Sequence, residues 1–301
     1  MSDAFRGCRL VVAAIFLAPA FPAGAGPAAP TDTAPPSAVD AAFAAASKVA
    51  LHGPADVPWI GQATLRLPEG YVYVPRPQAD QIMEAYGNSH DDRFLGLVFP
   101  GKEGNWFVVA QYEASGYIKD DDAKDWEVDE LLASLREGTQ AQNERRRELG
   151  VGELEIVGWA EKPAYDAATH RLVWSVAAHD TGSAPGDAQT INYNTYMLGR
   201  EGYITMNLVT SSDNIATDKA AAHALLGALS FNPGKAYADF NEGTDKVAAY
   251  GLTALVAGVA AKKLGLFAII AAFVAKFAKV FLVAGAAGGA ALWKKLRGKA
   301  A

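Results

Sequence analysis

The chain is nearly without cysteine. Cys8 is its only one, so no disulfide can form within the chain, and a structural zinc site built on cysteines is excluded. Histidine is sparse as well. His52, His90, His170, His179 and His223 are scattered, and no two stand at His-x-His or His-x-x-x-His spacing. No Gly-x-Ser-x-Gly, Ser-x-x-Lys, Walker or dinucleotide-binding pattern occurs; Gly182-Ser183-Ala184-Pro185-Gly186 is loop chemistry rather than a nucleophile elbow. These absences remove the common hydrolase, nucleotide and zinc chemistries, and no cofactor is expected.

Acid is missing from one end. No Asp or Glu follows Asp245, while nine of the 27 basic residues lie from Lys246 onward. The C-terminal stretch is Ala-, Gly-, Leu-, Val-, Ile- and Phe-rich. It is interrupted by Lys262, Lys263, Lys276 and Lys279 and closes on Lys294, Lys295, Arg297 and Lys299. Residues 26–245 hold 16 basic residues against 32 acidic. A region that acidic repels a phosphate backbone, so nucleic acid is not an expected partner. Lysines beside apolar helix suit anionic headgroups, so the lipid bilayer is.

At the other end, Arg6 and Arg9 precede an apolar run over residues 10–18 that is too short to span a bilayer. A small-residue site, Ala23-Gly24-Ala25, follows. This predicts a secretory signal over residues 1–25 and a mature start near Gly26, with a retained anchor as the alternative. Residues 26–54 read as an Ala/Pro-rich linker and leader, with a short helix over 39–51 docked only loosely. A folded domain is expected over 55–243 and a membrane anchor over 244–301. The four terminal basic residues belong on the cytoplasmic side by the positive-inside rule. A span is expected within residues 264–293, with residues 247–261 at the interface or forming a second short helix. The expected location is a bacterial inner membrane with the domain in the periplasm.

Between these ends the pattern is mixed. Residues 63–67 and 71–74 read as strands around Pro68-Glu69-Gly70. Residues 77–86 read as a helix, and 94–99 and 106–112 as strands. Residues 121–149 form the clearest helix: Val128, Leu131, Leu132 and Leu135 share a face, with Asp120, Asp121 and Asp122 at its start and Arg145, Arg146 and Arg147 near its end. Gly138 is a possible kink. Strands return at 154–159 and 171–178. Residues 190–198 and 203–209 read as a hairpin, and 211–228 as a helix capped by Ser212 or Asp213 that buries Leu225, Leu226 and Leu229. The order predicts an α+β fold, an antiparallel sheet with helices packed on it.

Several separated phrases occur together: Gly53-Pro54; Ala63-Thr64-Leu65-Arg66-Leu67-Pro68-Glu69-Gly70-Tyr71; Asp91-Asp92-Arg93-Phe94-Leu95-Gly96-Leu97-Val98; Ser115-Gly116-Tyr117-Ile118-Lys119-Asp120-Asp121-Asp122-Ala123; Asn192-Tyr193-Asn194-Thr195-Tyr196 with Leu198-Gly199-Arg200; and Tyr237-Ala238-Asp239-Phe240. As a set they resemble a bacterial family of membrane-anchored proteins, the domain of unknown function numbered 2167. The resemblance runs from about Gly53 to the C-terminus. It implies an envelope protein with a C-terminal anchor, and no catalytic residues come with it. The Leu67-Pro68-Glu69-Gly70-Tyr71 opening, Asn207-Leu208-Val209 and Leu229-Ser230-Phe231 also resemble a PsbP-type sandwich, a likeness of fold alone.

Three sets of residues are candidate sites. Asp120, Asp121, Asp122 and Asp125 form the densest acidic cluster. Hard cations take carboxylate oxygens, but the spacing lacks the loop of a calcium-binding hand, and carboxylates at a helix start need no metal. Asn192, Asn194 and Tyr196 alternate with Ile191, Tyr193, Thr195 and Met197, and Arg200 lies in the adjacent turn. That pattern gives either a binding face or the solvated side of a sheet. In the tail, Gly285 and Gly289 stand at helix-dimerisation spacing. Three functions follow: a binding module for a ligand or an envelope protein, a cation-dependent enzyme using the Asp120–Asp125 cluster, or an accessory subunit of a membrane complex. Envelope proteins and a second copy of the chain are the expected partners.

Overall fold

The computed structural model describes residues 37–88, 90–102, 104–148, 152–184 and 186–257. In chain order the elements are α1 (Ala38–Ala46), β1 (Leu51–His52), β2 (Ala55–Trp59), β3 (Ala63–Leu67), β4 (Tyr71–Pro75), α2 (Gln78–Ala85), β5 (Phe94–Pro100) and β6 (Phe107–Glu113). A 3-10 turn (Asp121–Asp125) leads to α3 (Val128–Glu148). Then come β7 (Leu154–Asp166), β8 (Arg171–Asp180), β9 (Thr190–Leu198), β10 (Tyr203–Ser211), α4 (Ile215–Ala228) and β11 (Leu229–Phe231), a second 3-10 turn (Tyr237–Asp239) and α5 (Leu252–Ala257).

Eight strands form one antiparallel sheet in the order β1-β4-β5-β6-β10-β9-β8-β7. A smaller sheet, β11-β3-β2, lies on one of its faces together with α4. Trp59, Leu65 and Leu67 of the small sheet meet Val108, Ile204, Met206 and Leu208 of the large one, and Leu225 and Leu226 of α4 complete that core. The opposite face carries two separate helical covers. α1 and α2 close over β4, β5 and β6 through Ala42, Ala46, Ile82, Leu97 and Phe107. α3 and α5 close over β7, β8 and β9 through Leu131, Ile156, Leu172, Leu252 and Val256. The expected α+β fold, with helices packed on an antiparallel sheet, is what the chain adopts.

Several local expectations are corrected. The leader helix is not loosely docked. Ser37 and Asp40 cap each other's backbone at its start, and Ala42 and Ala46 are buried against α2 and the sheet. Two alanines give a surface flat enough for close helix contact, which composition alone reads as linker. The segments 63–67 and 71–74 are strands but not partners: β3 pairs with β2 and β11, and β4 with β1 and β5. Pro68-Glu69-Gly70 carries the chain from one sheet to the other. The helix expected over 121–149 is divided. Trp126 is extended (φ -71, ψ 123), and its indole N–H donates to the Thr253 hydroxyl at 3.1 Å. That contact draws the acidic turn away from α3. The acids in the first turn of α3 are Asp129 and Glu130, and α3 runs through Gly138 unbroken. α4 starts at Ile215 with Asn214 as its first flanking residue. The Ser212 hydroxyl instead accepts from the Gln189 N–H at 3.0 Å.

Among the described residues no helix is long and apolar enough to cross a membrane. Residues 258–301, with the expected span, Gly285, Gly289, Lys294, Lys295, Arg297 and Lys299, lie outside the described residues, as does the expected signal over 1–25.

Candidate functional site

Register decides which side chains share a face. Directly opposed residues of an antiparallel pair point the same way. Across the middle of the large sheet, Val109, Asn207, Asn194 and Trp174 stand in one row. Gln111, Thr205, Tyr196 and Leu172 form the next row, and Phe107, Val209, Asn192 and Val176 the one on the other side. All three rows lie on the face with the two helical covers. The outer members of each row sit mostly in one apolar cluster or the other. Polar residues gather between them: Asn207, Asn194, Thr205 and Asn192 on β10 and β9, with Gln111 on β6, make a strip between the helix pairs, beside Val209 and Tyr196. Gln111, Asn194, Thr205 and Asn207 are half-buried, and Asn192 is buried. Central strands place them on stiff backbone, ladder-bonded on both sides.

The hydrogen bonds of the strip are incompletely used. Asn207 Nδ2 donates to Asn192 Oδ1 at 3.3 Å, and Asn194 Nδ2 donates to the Asn192 carbonyl at 3.2 Å. Asn207 Oδ1 is buried, and no group among the described residues donates to it. A buried unpaired acceptor costs about 1–3 kcal/mol, and such groups in a folded chain call for a reason. At one end the strip meets an ion-pair cluster. Arg93 donates to both Asp91 oxygens at 2.9 and 2.7 Å and to Glu113 at 3.2 Å. Gln111 Nε2 donates to Asp91 Oδ2 at 2.8 Å. Burial alone would push the Asp91 carboxyl up, but the Arg93 hydrogen bonds and charge outweigh it and hold it below the usual carboxylate range. Arg93 is thus already neutralised by its two partners.

The four residues of the sequence-predicted binding face separate. Asn192 and Asn194 lie in the strip. Tyr196 continues the same side of β9 but is covered: its hydroxyl donates to the Leu255 carbonyl of α5 at 3.2 Å, and burial pushes its pKa up. Arg200, in the β9–β10 turn, grips Asp245 through two bonds of 2.6 and 2.8 Å. Gln111, Thr205 and Asn207 escape a strand-by-strand reading. For Thr205 and Asn207 the signal is the hairpin itself, because joining β9 to β10 through the turn at Gly199–Gly202 sets Asn207 opposite Asn194; Gln111 arrives through the non-local pairing of β6 with β10.

The acidic cluster is used to hold the C-terminal segment. Asp122 accepts the Leu252 and Thr253 N–H groups, each at 3.0 Å, and so caps α5 from 130 residues away. Gly251 is what permits this approach, since a Cβ there would overlap the Asp122 carboxylate. Asp120 accepts the Tyr165 hydroxyl at 2.7 Å, and His170 Nδ1 lies 3.1 Å from that hydroxyl oxygen. Burial first, and the Asp120 hydrogen bond second, raise the Tyr165 pKa. Asp121 is exposed, and Asp125 belongs to the same turn. Among the described residues no three His, Cys, Asp or Glu side chains group as a metal site. Residues 236–257 are strapped down further. Tyr237 donates to the Ile118 carbonyl at 2.7 Å, and the Tyr117 backbone bonds Lys246 and Ala248, both at 2.8 Å. The Tyr117 ring stacks between those of Tyr237 and Phe240.

A third polar group lies under α4. The Tyr193 hydroxyl donates to Glu161 Oε1 at 2.8 Å and lies 2.9 Å from His223 Nε2. Tyr193 is buried, but Glu161 is half-buried and His223 exposed, so the two partners satisfy its hydroxyl at the rim of the core.

Among solved structures, the chain has a likeness to cyanobacterial PsbP (CyanoP) from Synechocystis sp. PCC 6803. The two are 10% identical, the match covers 56% of this chain and 86% of that one, and the TM-score is 0.35. A second likeness is to the Saccharomyces cerevisiae Ran-binding protein Mog1p, at 10% identity, 58% and 94% coverage and a TM-score of 0.31. At such scores neither bears on what the chain does. No curated protein sequence matches. The family model described as Protein of unknown function (DUF2167) matches residues 52–286, and the chain belongs to that family.

Proposed function

We propose that the protein is a non-enzymatic binding module of a bacterial envelope, held at the inner membrane by its C-terminal tail, that takes its ligand on the polar strip of the large sheet. The observation that carries this reading is the unpaired Asn207 acceptor among partly spent amides on central strands. Surface amides on a solvated sheet face would be open to water; this acceptor is enclosed and still unpaired. A site that withholds hydrogen-bonding capacity from the fold keeps it for something else.

Filling the strip tests the reading. Asn194→Trp places a large ring over Asn207 and Asn192. Native mass spectrometry of the full-length protein, purified from its own membranes, should show a bound species on the wild type that the variant lacks. The same species retained by the folded variant would remove the strip as the binding surface.

The membrane part of the proposal rests on the basic, acid-free tail and the N-terminal signal pattern. A cysteine introduced at Ala301 should resist a membrane-impermeant thiol reagent in intact spheroplasts and react after lysis. Ready labelling in intact spheroplasts would place the C-terminus on the outer side and overturn the orientation.

A further inference from the structure

We propose that the ligand of the strip is an uncharged saccharide. This rests on the strip being the binding surface, and it is argued from what the strip offers. Its five polar side chains, Gln111, Asn192, Asn194, Thr205 and Asn207, are neutral amides and one hydroxyl. They sit in a region of strongly negative net charge, so the absence of charge along the strip is itself selective.

Among the described residues an anion finds no free cation along the strip. Arg93 is the charged donor at the edge, and Asp91 and Glu113 already hold it. A carboxylate or phosphate approaching there would meet those two acids. A cation finds no unspent carboxylate either, because the same two acids are engaged. An extended peptide adds to the edge of a sheet, through the backbone groups an edge strand leaves unpaired. β9 and β10 are interior strands, paired on both sides, and offer only side chains. An alkyl chain would leave the Asn207 acceptor buried without a partner.

A saccharide meets these conditions together. Each hydroxyl both donates and accepts. Each Asn or Gln amide presents a donor and an acceptor side by side, so one amide can engage two neighbouring hydroxyls. Asn194 and Asn207 stand directly opposed across the hairpin, with side chains about 5 Å apart. Gln111 and Thr205 repeat the pairing one row on, about 7 Å along the strands. The array is therefore wider than a single hydroxyl and suits one or two sugar rings lying along the strands. Asn207 Oδ1 is enclosed but belongs to a half-buried side chain; once that amide turns outward, a hydroxyl donating to it would satisfy the acceptor that the fold leaves unpaired.

The test is NMR of the full-length, nitrogen-15-labelled protein in detergent, following side-chain amide signals. The probes are maltotriose, di-N-acetylchitobiose and a uronic-acid disaccharide. A neutral probe should shift the side-chain amides of Asn192, Asn194, Asn207 and Gln111 in a saturable way. The Asn88 amide, which donates to the Met83 carbonyl at 3.0 Å away from the strip, should stay in place. The uronic-acid probe should bind at least tenfold more weakly, and Asn207→Val should weaken the neutral probe at least tenfold while leaving the Asn88 signal unmoved. Silence from both neutral probes, or tighter binding of the acidic one, overturns the saccharide. If the species bound to the native protein is still displaced by Asn194→Trp in that event, the strip remains the binding surface and only its ligand class is wrong.

Discussion

Asn207→Val should leave the stability of the protein nearly unchanged and abolish ligand binding. The stability effect is a balance of small terms. Removing Oδ1 removes a buried acceptor with no donor, a relief of about 1–3 kcal/mol. Valine also suits an interior strand better than asparagine, within a scale of about 1 kcal/mol. Against this stands one long bond, Asn207 Nδ2 to Asn192 Oδ1 at 3.3 Å. Its loss leaves the Asn192 acceptor, in a buried residue, without that donor, at a cost of about 1–3 kcal/mol. The terms nearly cancel, and the net change is within about 1 kcal/mol. In a domain of this size that keeps the melting temperature within about 2–4 °C of wild type. A scan of the folded protein, paired with binding of the native species, reads both halves. Most substitutions in a sheet centre lower stability, so an unchanged melting temperature coupled to lost binding identifies a residue kept for recognition. A fall of more than about 4 °C would show that Asn207 serves the fold, and the case for the strip would fail with it.

The same residue shows what the sequence made legible and what it did not. Alternation along residues 190–198 and 203–209 gives two strands, a hairpin and a polar side containing Asn192 and Asn194. It does not tell which polar positions stay open, because that depends on where helices land from far along the chain. Tyr196 shares its side of β9 with Asn194, yet α5 covers it through a contact 59 residues away. Arg200 reads as a free turn cation and is paired with Asp245. β11 is short, and its pairing with β3 brings together residues separated by more than 160 positions, while β2 meets β3 as a local hairpin. No local period carries that information. The Asp120–Asp122 phrase is the sharpest case. Acids ahead of an apolar helical pattern point to the cap of that helix by proximity in sequence. Trp126 instead turns the chain, and the cap goes to a helix that an apolar, acid-free stretch presents as part of the anchor.

Asp122→Ala should release α5. The Asp122 carboxylate is the partner for the two leading N–H groups of that helix, Leu252 and Thr253, at 3.0 Å each. Such N–H groups have no partner inside a helix. A carboxylate there also faces the positive end of the helix dipole. Loss of a side-chain cap costs up to about 2 kcal/mol, and bonds to a charged acceptor reach about 3 kcal/mol, so the expected loss is about 2–3 kcal/mol of local stability. That is a rise of roughly 30- to 150-fold in the open population of the segment. Hydrogen exchange of residues 250–257 in the full-length protein should quicken accordingly, while the β6, β9 and β10 amides hold. Asp121→Ala, which removes an exposed carboxylate from the same turn, should leave exchange near wild type. Calcium and magnesium should leave the wild-type melting temperature unchanged, because Asp122 is occupied by backbone donors. If the two variants behaved alike, or if a divalent cation stabilised the wild type but not Asp122→Ala, the carboxylates would be acting as a cation site. The distinction matters for the whole chain. Through Asp122, Trp126 and Tyr196 the fold grips the segment that leads into the basic tail. Tyr196 stands beside Asn194 on the same side of β9, so the grip on the tail and the floor of the strip share one strand.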